Sequence, residues 1–345
     1  MTCGIFMLFR PDQIKQGYNV MAADGKSLKQ ALIDKMARLI APMVADALLP
    51  VLTERVSGLI DARINGGAKP ALPPVDVFRS APDAPFMAYS TCTATDFLHP
   101  EFQRLTDLIN HQVFYHRKLW EFIFILHHAF RLDAVGPGKR ALGFGVGTEP
   151  LPAAFASAGT DIMATDAPLE IGLKNGWADH RQLAEALSAI PEGRMDRAEF
   201  ERRVQFEHCD MNAISPALTG FDFCWSACAL EHLGSIEKGL DFIINSVEKT
   251  LKVGGVAVHT TEFNLSSNSG TIDNNWTVLF RRQDLDRIVE KLRERGHYAE
   301  RFTVAPDTMP VDRYIDMPPY GEPHLKLLLE NFVTTSAGLV IRRGR

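Results

Sequence analysis

Arg140-Ala141-Leu142-Gly143-Phe144-Gly145-Val146-Gly147-Thr148-Glu149-Pro150-Leu151 reads as an apolar strand, a glycine turn and a helix start. Alternating glycines let backbone lie closer to a ligand than any side chain would permit, and they tolerate positive φ. Nineteen residues past Gly147, a second strand-like stretch, Asp161-Ile162-Met163-Ala164-Thr165, ends on Asp166. Strand, glycine turn, helix, strand and acid is the order in which doubly wound α/β folds hold a nucleoside. The turn approaches the ligand, and the acid accepts hydrogen bonds from ribose hydroxyls.

Working outward, apolar runs predict further strands at 204–208, 221–226 and 255–261, and two closing strands within 325–342. Helices are predicted at 150–158, 178–190, 235–251 and 282–295, with a helical block upstream at 100–130 closed by Pro137-Gly138. This alternation argues a mostly parallel α/β sheet with helices on both faces. Residues 26–64 carry an apolar stripe at helical spacing (Leu32, Met36, Ile40, Met43, Ala47, then Val56, Leu59, Ile60), split by Pro42 and Pro50. The stripe can dock on its own domain or, in the sharper reading, on a second copy of the chain as a homo-oligomer. Gly66-Gly67-Ala68-Lys69-Pro70 and Pro73-Pro74 read as a linker. The expected division is an N-terminal helical region and linker over 1–90 and a main domain over 91–345.

The bulk properties exclude several classes. A chain of 345 residues with 46% hydrophobic and 23% charged content has the makings of an ordinary globular core. A net charge of −5 gives no support for a nucleic-acid or membrane-surface partner. No apolar stretch in the N-terminal third approaches the ~20 residues of a membrane span, and the first ten residues lack a basic start and a small-residue cleavage site. Five cysteines (Cys3, Cys92, Cys209, Cys224, Cys228) show no metal-ligand spacing, and an odd count fits reduced thiols in a cytoplasm. Cys3-Gly4-Ile5-Phe6 looks like the start of an N-terminal-cysteine amidotransferase, but Thr2 precedes it and denies Cys3 the free α-amine which that chemistry needs.

From Arg140 to His259 the chain resembles the class I S-adenosylmethionine-dependent methyltransferases. Four features carry the resemblance: Gly143-Phe144-Gly145-Val146-Gly147; Asp166; Cys209-Asp210-Met211 after the third strand; and Phe221-Asp222-Phe223-Cys224-Trp225-Ser226 followed by Leu230-Glu231-His232-Leu233. Leu251-Lys252-Val253-Gly254-Gly255 then leads into the fifth strand. The resemblance implies a doubly wound, mostly parallel seven-stranded Rossmann-like sheet and S-adenosylmethionine as cofactor. It implies donor contacts from Gly143, Phe144, Gly145, Gly147 and Ser226, ribose contacts from Asp166, and adenine contacts from Asp210 and Met211. The bland reading of Asp210 is a turn cap. Two departures stand out. The family usually carries an acid where Gly143 stands, and often a glycine where Glu149 stands. Glu149 is therefore the candidate replacement for the carboxylate near the methionine amine, against a plain role as a helix-start acid. A nicotinamide fingerprint would need a glycine at Pro150.

Methyl transfer from a sulfonium is mostly alignment and desolvation, but a hydroxyl acceptor must also lose a proton. The candidates are His232, Glu231 and Glu262, which follow the fourth and fifth strands, with His259 nearby. The alternative for His232 is a wall of the adenosyl pocket. Cys224 and Cys228 have two readings, thiols near the methyl donor or small core thiols, and the core reading is favoured. Arg117 and Trp120, in His116-Arg117-Lys118-Leu119-Trp120-Glu121, and Tyr320 are the candidate substrate contacts; a solvated helix face with Trp120 in the core is the alternative. Asn274-Asn275-Trp276 has the amide and aromatic content of a sugar site. No metal motif is present, although Asp222, Glu231 and His232 lie near one another in sequence. The pattern resembles bacterial methyltransferases linked to surface-polysaccharide assembly, which implies a small-molecule or glycan acceptor methylated at a sugar hydroxyl. A nucleoside-binding scaffold without catalysis is the alternative, kept alive by Gly143.

Overall fold

A computed structural model describes residues 83–174 and 183–345, all within a unit spanning Arg55–Arg345. The helical stripe and linker expected over 1–82, Cys3 and the expected self-association surface lie outside the described residues. Strands β1 (Arg140–Phe144), β2 (Asp161–Asp166), β3 (Val204–His208), β4 (Phe221–Ala227) and β5 (Leu251–Asn264) run parallel. β6 (Tyr298–Ala299), β7 (Leu327–Leu329) and β8 (Phe332–Arg342) close the sheet, with β8 antiparallel to β5, β6 and β7. The order is β3-β2-β1-β4-β5-β8-β6, with β7 paired to β8 off that path. The sheet is thus the expected mostly parallel, Rossmann-like one, but has eight strands where seven were expected.

Among the described residues the helices are α1 (Pro100–Leu108), α2 (Arg117–Arg131), α3 (Leu151–Ser157), α4 (Leu169–Lys174), α5 (Arg197–Arg203), α6 (Ile236–Asn245), α7 (Arg282–Glu294) and α8 (Pro310–Arg313). No described helix is long and apolar enough to cross a membrane. The block at 100–130 is two helices, because the chain turns at Asn110, which takes a left-handed φ of 57°. Of the helix expected over 178–190, the described part holds only a 3₁₀ turn at Leu187–Ala189. α4 and α5 were not foreseen. The helix expected over 235–251 ends as a π turn at Ser246–Thr250.

Side-chain alternation divides the interior into two cores. Phe223, Trp225 and Ala227 of β4 point to the face covered by α2 and α3. Cys224 joins Leu142 and Phe144 on the face covered by α6 and α7. α2 begins at His116, whose Nδ1 accepts from the Lys118 amide at 3.0 Å, satisfying one of the free donors of the helix start. Its run Leu119–Leu126 is buried, and Trp120 donates from Nε1 to Asp96 Oδ2 at 2.8 Å. The helix packs on β8 at Gly338, where a Cβ would fall 2.2 Å from the Phe124 ring.

Candidate active site

A cleft of about 1090 Å³ opens beyond the C-terminal ends of the parallel strands, where open α/β sheets bind ligands. The loop after β1 forms its floor. Gly145 and Gly147 have φ of 59° and 49°, in the region that favours glycine. A Cβ on Gly145 would lie 2.8 Å from the Ala229 methyl, so the bare backbone is what keeps the loop and β4 this close. Asp166 lines the cleft from the end of β2. Its Oδ2 accepts from the Gly147 and Ala184 amides at 3.0 and 2.8 Å, and Oδ1 from Ala167 at 2.7 Å. Burial raises its pKa, against the pull of those amides. Oδ1 keeps acceptor capacity for a ligand hydroxyl.

The position of Gly143 is taken up by packing. A Cβ there would fall 2.5 Å from the Trp225 ring and 2.6 Å from Val146. The same indole donates from Nε1 to Glu149 Oε1 at 2.7 Å, fixing a carboxyl group in the cleft wall. Burial pushes Glu149 up to about 8, with Asp166 and Glu121 adding to the rise and the Trp225 bond and Lys118 opposing it. Met211 and Asp210 line the same cleft; Asp210 Oδ1 also accepts from the Asn212 amide at 2.8 Å, so it caps its turn as well.

The start of α2 forms the wall opposite the glycine loop. Arg117, Lys118 and Glu121 fall on one helix face by their three- and four-residue spacing. Lys118 Nζ donates to the Ala227 carbonyl at 2.8 Å and lies 3.2 Å from Glu121. Arg117 pairs with Glu262 through Nη2 and donates to Ser336 Oγ at 3.1 Å through Nη1. Glu121 is fully buried and also accepts from Ser336, from Cys228 Sγ at 3.0 Å and from Thr260 Oγ1 at 3.3 Å. Burial opposes its ionisation, but Lys118 and Arg117 outweigh that and hold its pKa below the usual range. Glu231 accepts from Thr261 Oγ1 at 3.1 Å. Burial raises Glu262, against the pull of Arg117. At the mouth, His232 stacks on Trp276 with ring centroids 5.9 Å apart and an angle of 9°. His232 Nδ1 lies 3.0 Å from the Trp276 carbonyl, which can only accept, so a neutral ring there carries its lone pair on Nε2.

The cleft gathers Arg117, Gly145, Gly147, Glu149, Asp166, Asp210, Met211, Glu231, His232 and Glu262, drawn from six separate stretches of chain. Five expected contacts lie elsewhere. Gly143 sits under Trp225, as above. Phe144 packs edge-on against Phe242 in the α6 core. Ser226 is buried beside it, bonded to His259 Nδ1 at 2.9 Å. Strand alternation, which sets Phe144 and Ser226 opposite one another on that face, is the reason. Trp120 is on the core side of α2, and Tyr320 is an outer loop residue whose hydroxyl donates to the Leu328 carbonyl at 2.8 Å. His259 is a core residue, its Nε2 facing Ser246 Oγ at 3.0 Å. Asp222 lies at the start of β4, bonded to Lys252 and the Arg140 amide, away from Glu231 and His232 at the other end. Arg117 lines the cleft with its Nη groups engaged by Glu262 and Ser336. Lys118 and Glu121 were missed as site residues; Cys224 is the core thiol expected, whereas Cys228 lines the cleft. The helical spacing of Arg117, Lys118 and Glu121 was the available signal.

No family model matches the chain, and no curated protein matches it. Solved structures similar in fold include S-adenosylmethionine-dependent methyltransferases. One is a putative sarcosine dimethylglycine methyltransferase from Galdieria sulphuraria, at 11% identity over 71% of this chain and 98% of that one, with a TM-score of 0.41. Another is the 1,6-didemethyltoxoflavin-N1-methyltransferase of Burkholderia thailandensis, at 17% identity over 64% and 76%, with a TM-score of 0.36. A third, from Methanosarcina mazei, is 14% identical over 62% and 97%, with a TM-score of 0.38. These likenesses concern the fold alone.

Proposed function

We propose that this chain is a methyltransferase that binds S-adenosylmethionine in the cleft and methylates a hydroxyl of a small-molecule or glycan acceptor, a sugar being the class the rim suits. The observation that carries this reading is the convergence of the bare loop at Gly145, Asp166, Asp210-Met211 and the buried Glu149 on one cleft. The bound donor supplies an electrophilic methyl group on a sulfonium. The chain's residues bind and orient it. Gly145 and Gly147 let backbone reach it, Asp166 accepts from the ribose hydroxyls, and Asp210 with Met211 takes the adenine. Glu149 faces the methionine ammonium, doing from the next turn what an acid at Gly143 would do. A binding site typically encloses roughly 300–1,000 Å³, so about 1090 Å³ leaves room for an acceptor beside the donor.

His232 Nε2 accepts the acceptor's proton, its ring held by the Trp276 carbonyl and stacked on the Trp276 indole. Trp276 is 57% exposed and flanked by Asn274 and Asn275, which gives the rim an open aromatic face with amides beside it, as a sugar would use. Glu231 and Glu262 remain candidates for a part in catalysis from deeper in the cleft. Calorimetry with S-adenosylhomocysteine and a labelled-methyl assay on cell extract test the reading. His232→Ala should lower the rate by ~10²–10⁴-fold and leave donor affinity intact. Failure to bind either nucleoside would end the proposal; an unchanged rate would remove His232 from its role.

A further inference from the structure

Three donor groups outside the nucleoside half of the cleft come together from separate elements. Cys228 follows β4, Glu231 lies in the 3₁₀ turn Leu230–His232, and Glu262 lies on β5. Each offers one ligand atom, and the three atoms lie within 4.8 Å of one another. All three residues line the cleft.

What separates this cluster from a chance group of acids is how it is held. Glu262 is 6% exposed, and its Oε2 has no hydrogen-bond partner although it is buried. A buried carboxylate oxygen left unsatisfied carries an uncompensated desolvation cost, so it points to a missing partner. The other oxygen, Oε1, is fixed by Arg117. Glu231 is fixed in the same way by Thr261 through Oε2. The Cys228 amide donates to both the carbonyl and the hydroxyl of Thr260, at 3.1 and 3.2 Å. The two carboxylates are thus oriented by outer hydrogen bonds, as metal ligands commonly are, and the Cys228 backbone is fixed beside them while its Sγ donates to Glu121 at 3.0 Å.

We propose that Cys228, Glu231 and Glu262 form a three-ligand site for a divalent cation of borderline softness, zinc foremost, with its fourth position open to the cleft. One thiolate with two carboxylates suits zinc or cobalt better than magnesium, which takes oxygen alone. Zinc bonds of about 2.3 Å to sulfur and 2.0–2.2 Å to oxygen need these donors only about 1 Å closer than they lie here, within reach of small side-chain rotations. Three protein ligands and one open position is the pattern of a catalytic ion. Its use there, to hold the acceptor oxygen, rests on the methyl-transfer reading; uptake of the ion does not.

The test is titration of the untagged, metal-stripped full chain with Co²⁺, then competition by Zn²⁺, in the absence of donor. The expected result is uptake of one equivalent with tetrahedral visible bands and a thiolate-to-cobalt band in the near ultraviolet. Cys228→Ser should remove the near-ultraviolet band, and Thr261→Val should weaken uptake by about 10–100-fold. Zn²⁺ should also slow alkylation of Cys228 in the unaltered protein, read by mass spectrometry, which needs no variant to fold. No saturable uptake, uptake without the sulfur band, or alkylation of Cys228 untouched by Zn²⁺ would each overturn the site. Donor binding measured on the same stripped protein keeps that failure distinct from failure of the methyl-transfer reading.

Discussion

Glu149, Trp225 and Gly143 act as one unit. The indole needs the space that a side chain at 143 would fill, and it holds the carboxyl group that 143 does not supply. Glu149 is faced by Trp225 of β4, Lys118 and Glu121 of α2 and Asp166 of β2, and burial dominates its pKa of about 8. Near pH 7 the free protein therefore holds it mostly protonated. A ligand ammonium favours the carboxylate, so donor binding should release a proton, and affinity should rise with pH until about 8 and then level. Calorimetry in buffers of different ionisation enthalpy reads that proton directly. Glu149→Gln should abolish the buffer dependence, and equal enthalpies for the unaltered protein would remove Glu149 from the ammonium's side. The departure at Gly143 was legible in the sequence. Its cause was not, because the indole that fills the gap comes from a strand 82 positions further on.

At the scale of elements, α2 decides how the cleft is closed, and its seat on β8 depends on Gly338. A methyl group there would overlap the Phe124 ring, and overpacking of this kind typically costs about 1–3 kcal/mol. Gly338→Ala should lower the guanidinium midpoint accordingly. Combined with Phe124→Leu it should lose less than the sum of the two single changes, since the smaller side chain vacates the contested space. Strict additivity would show that the helix is not seated there. The parallel strands were legible because buried strands read as short apolar runs between turn residues. α5, with three arginines and two glutamates among its seven residues, has no such signature. Which face of α2 meets the cleft was not legible either: the sequence shows the spacing of Arg117, Lys118 and Glu121, and only the packing of Trp120 on Asp96 shows which side is inward. The same limit misplaced Phe144 and Ser226, since alternation says that neighbours diverge but not which of them faces a ligand.

Across the described residues, buried and half-buried histidines lie on both sides of the sheet. Burial is the main cause that lowers His259 to about 3, His128 to about 2, and His116 and His127 to about 4. Unfolded, each would titrate near 6.5. Between those values the unfolded chain binds protons that the folded chain does not, so their stabilising effect is present above about 6.5 and is lost as pH falls. Asp96, raised to about 6, and Glu149, raised to about 8, act in the opposite sense, favouring the folded state as pH falls. Asp166 and Glu262, also raised by burial, act in that same sense; the four histidines set the slope on the acid side, and Glu149 that between about 6.5 and 8. Stability should therefore be greatest between about pH 6 and 7 and decline on both sides, more steeply towards acid. His259→Asn, which removes one buried titrating ring, should flatten the acid limb by about 1.4 kcal/mol per pH unit relative to the unaltered protein. Guanidinium midpoints measured from about pH 5 to 8 decide it: a steady rise across that range, or an acid limb unchanged by the substitution, would show that these histidines are not held neutral by the fold.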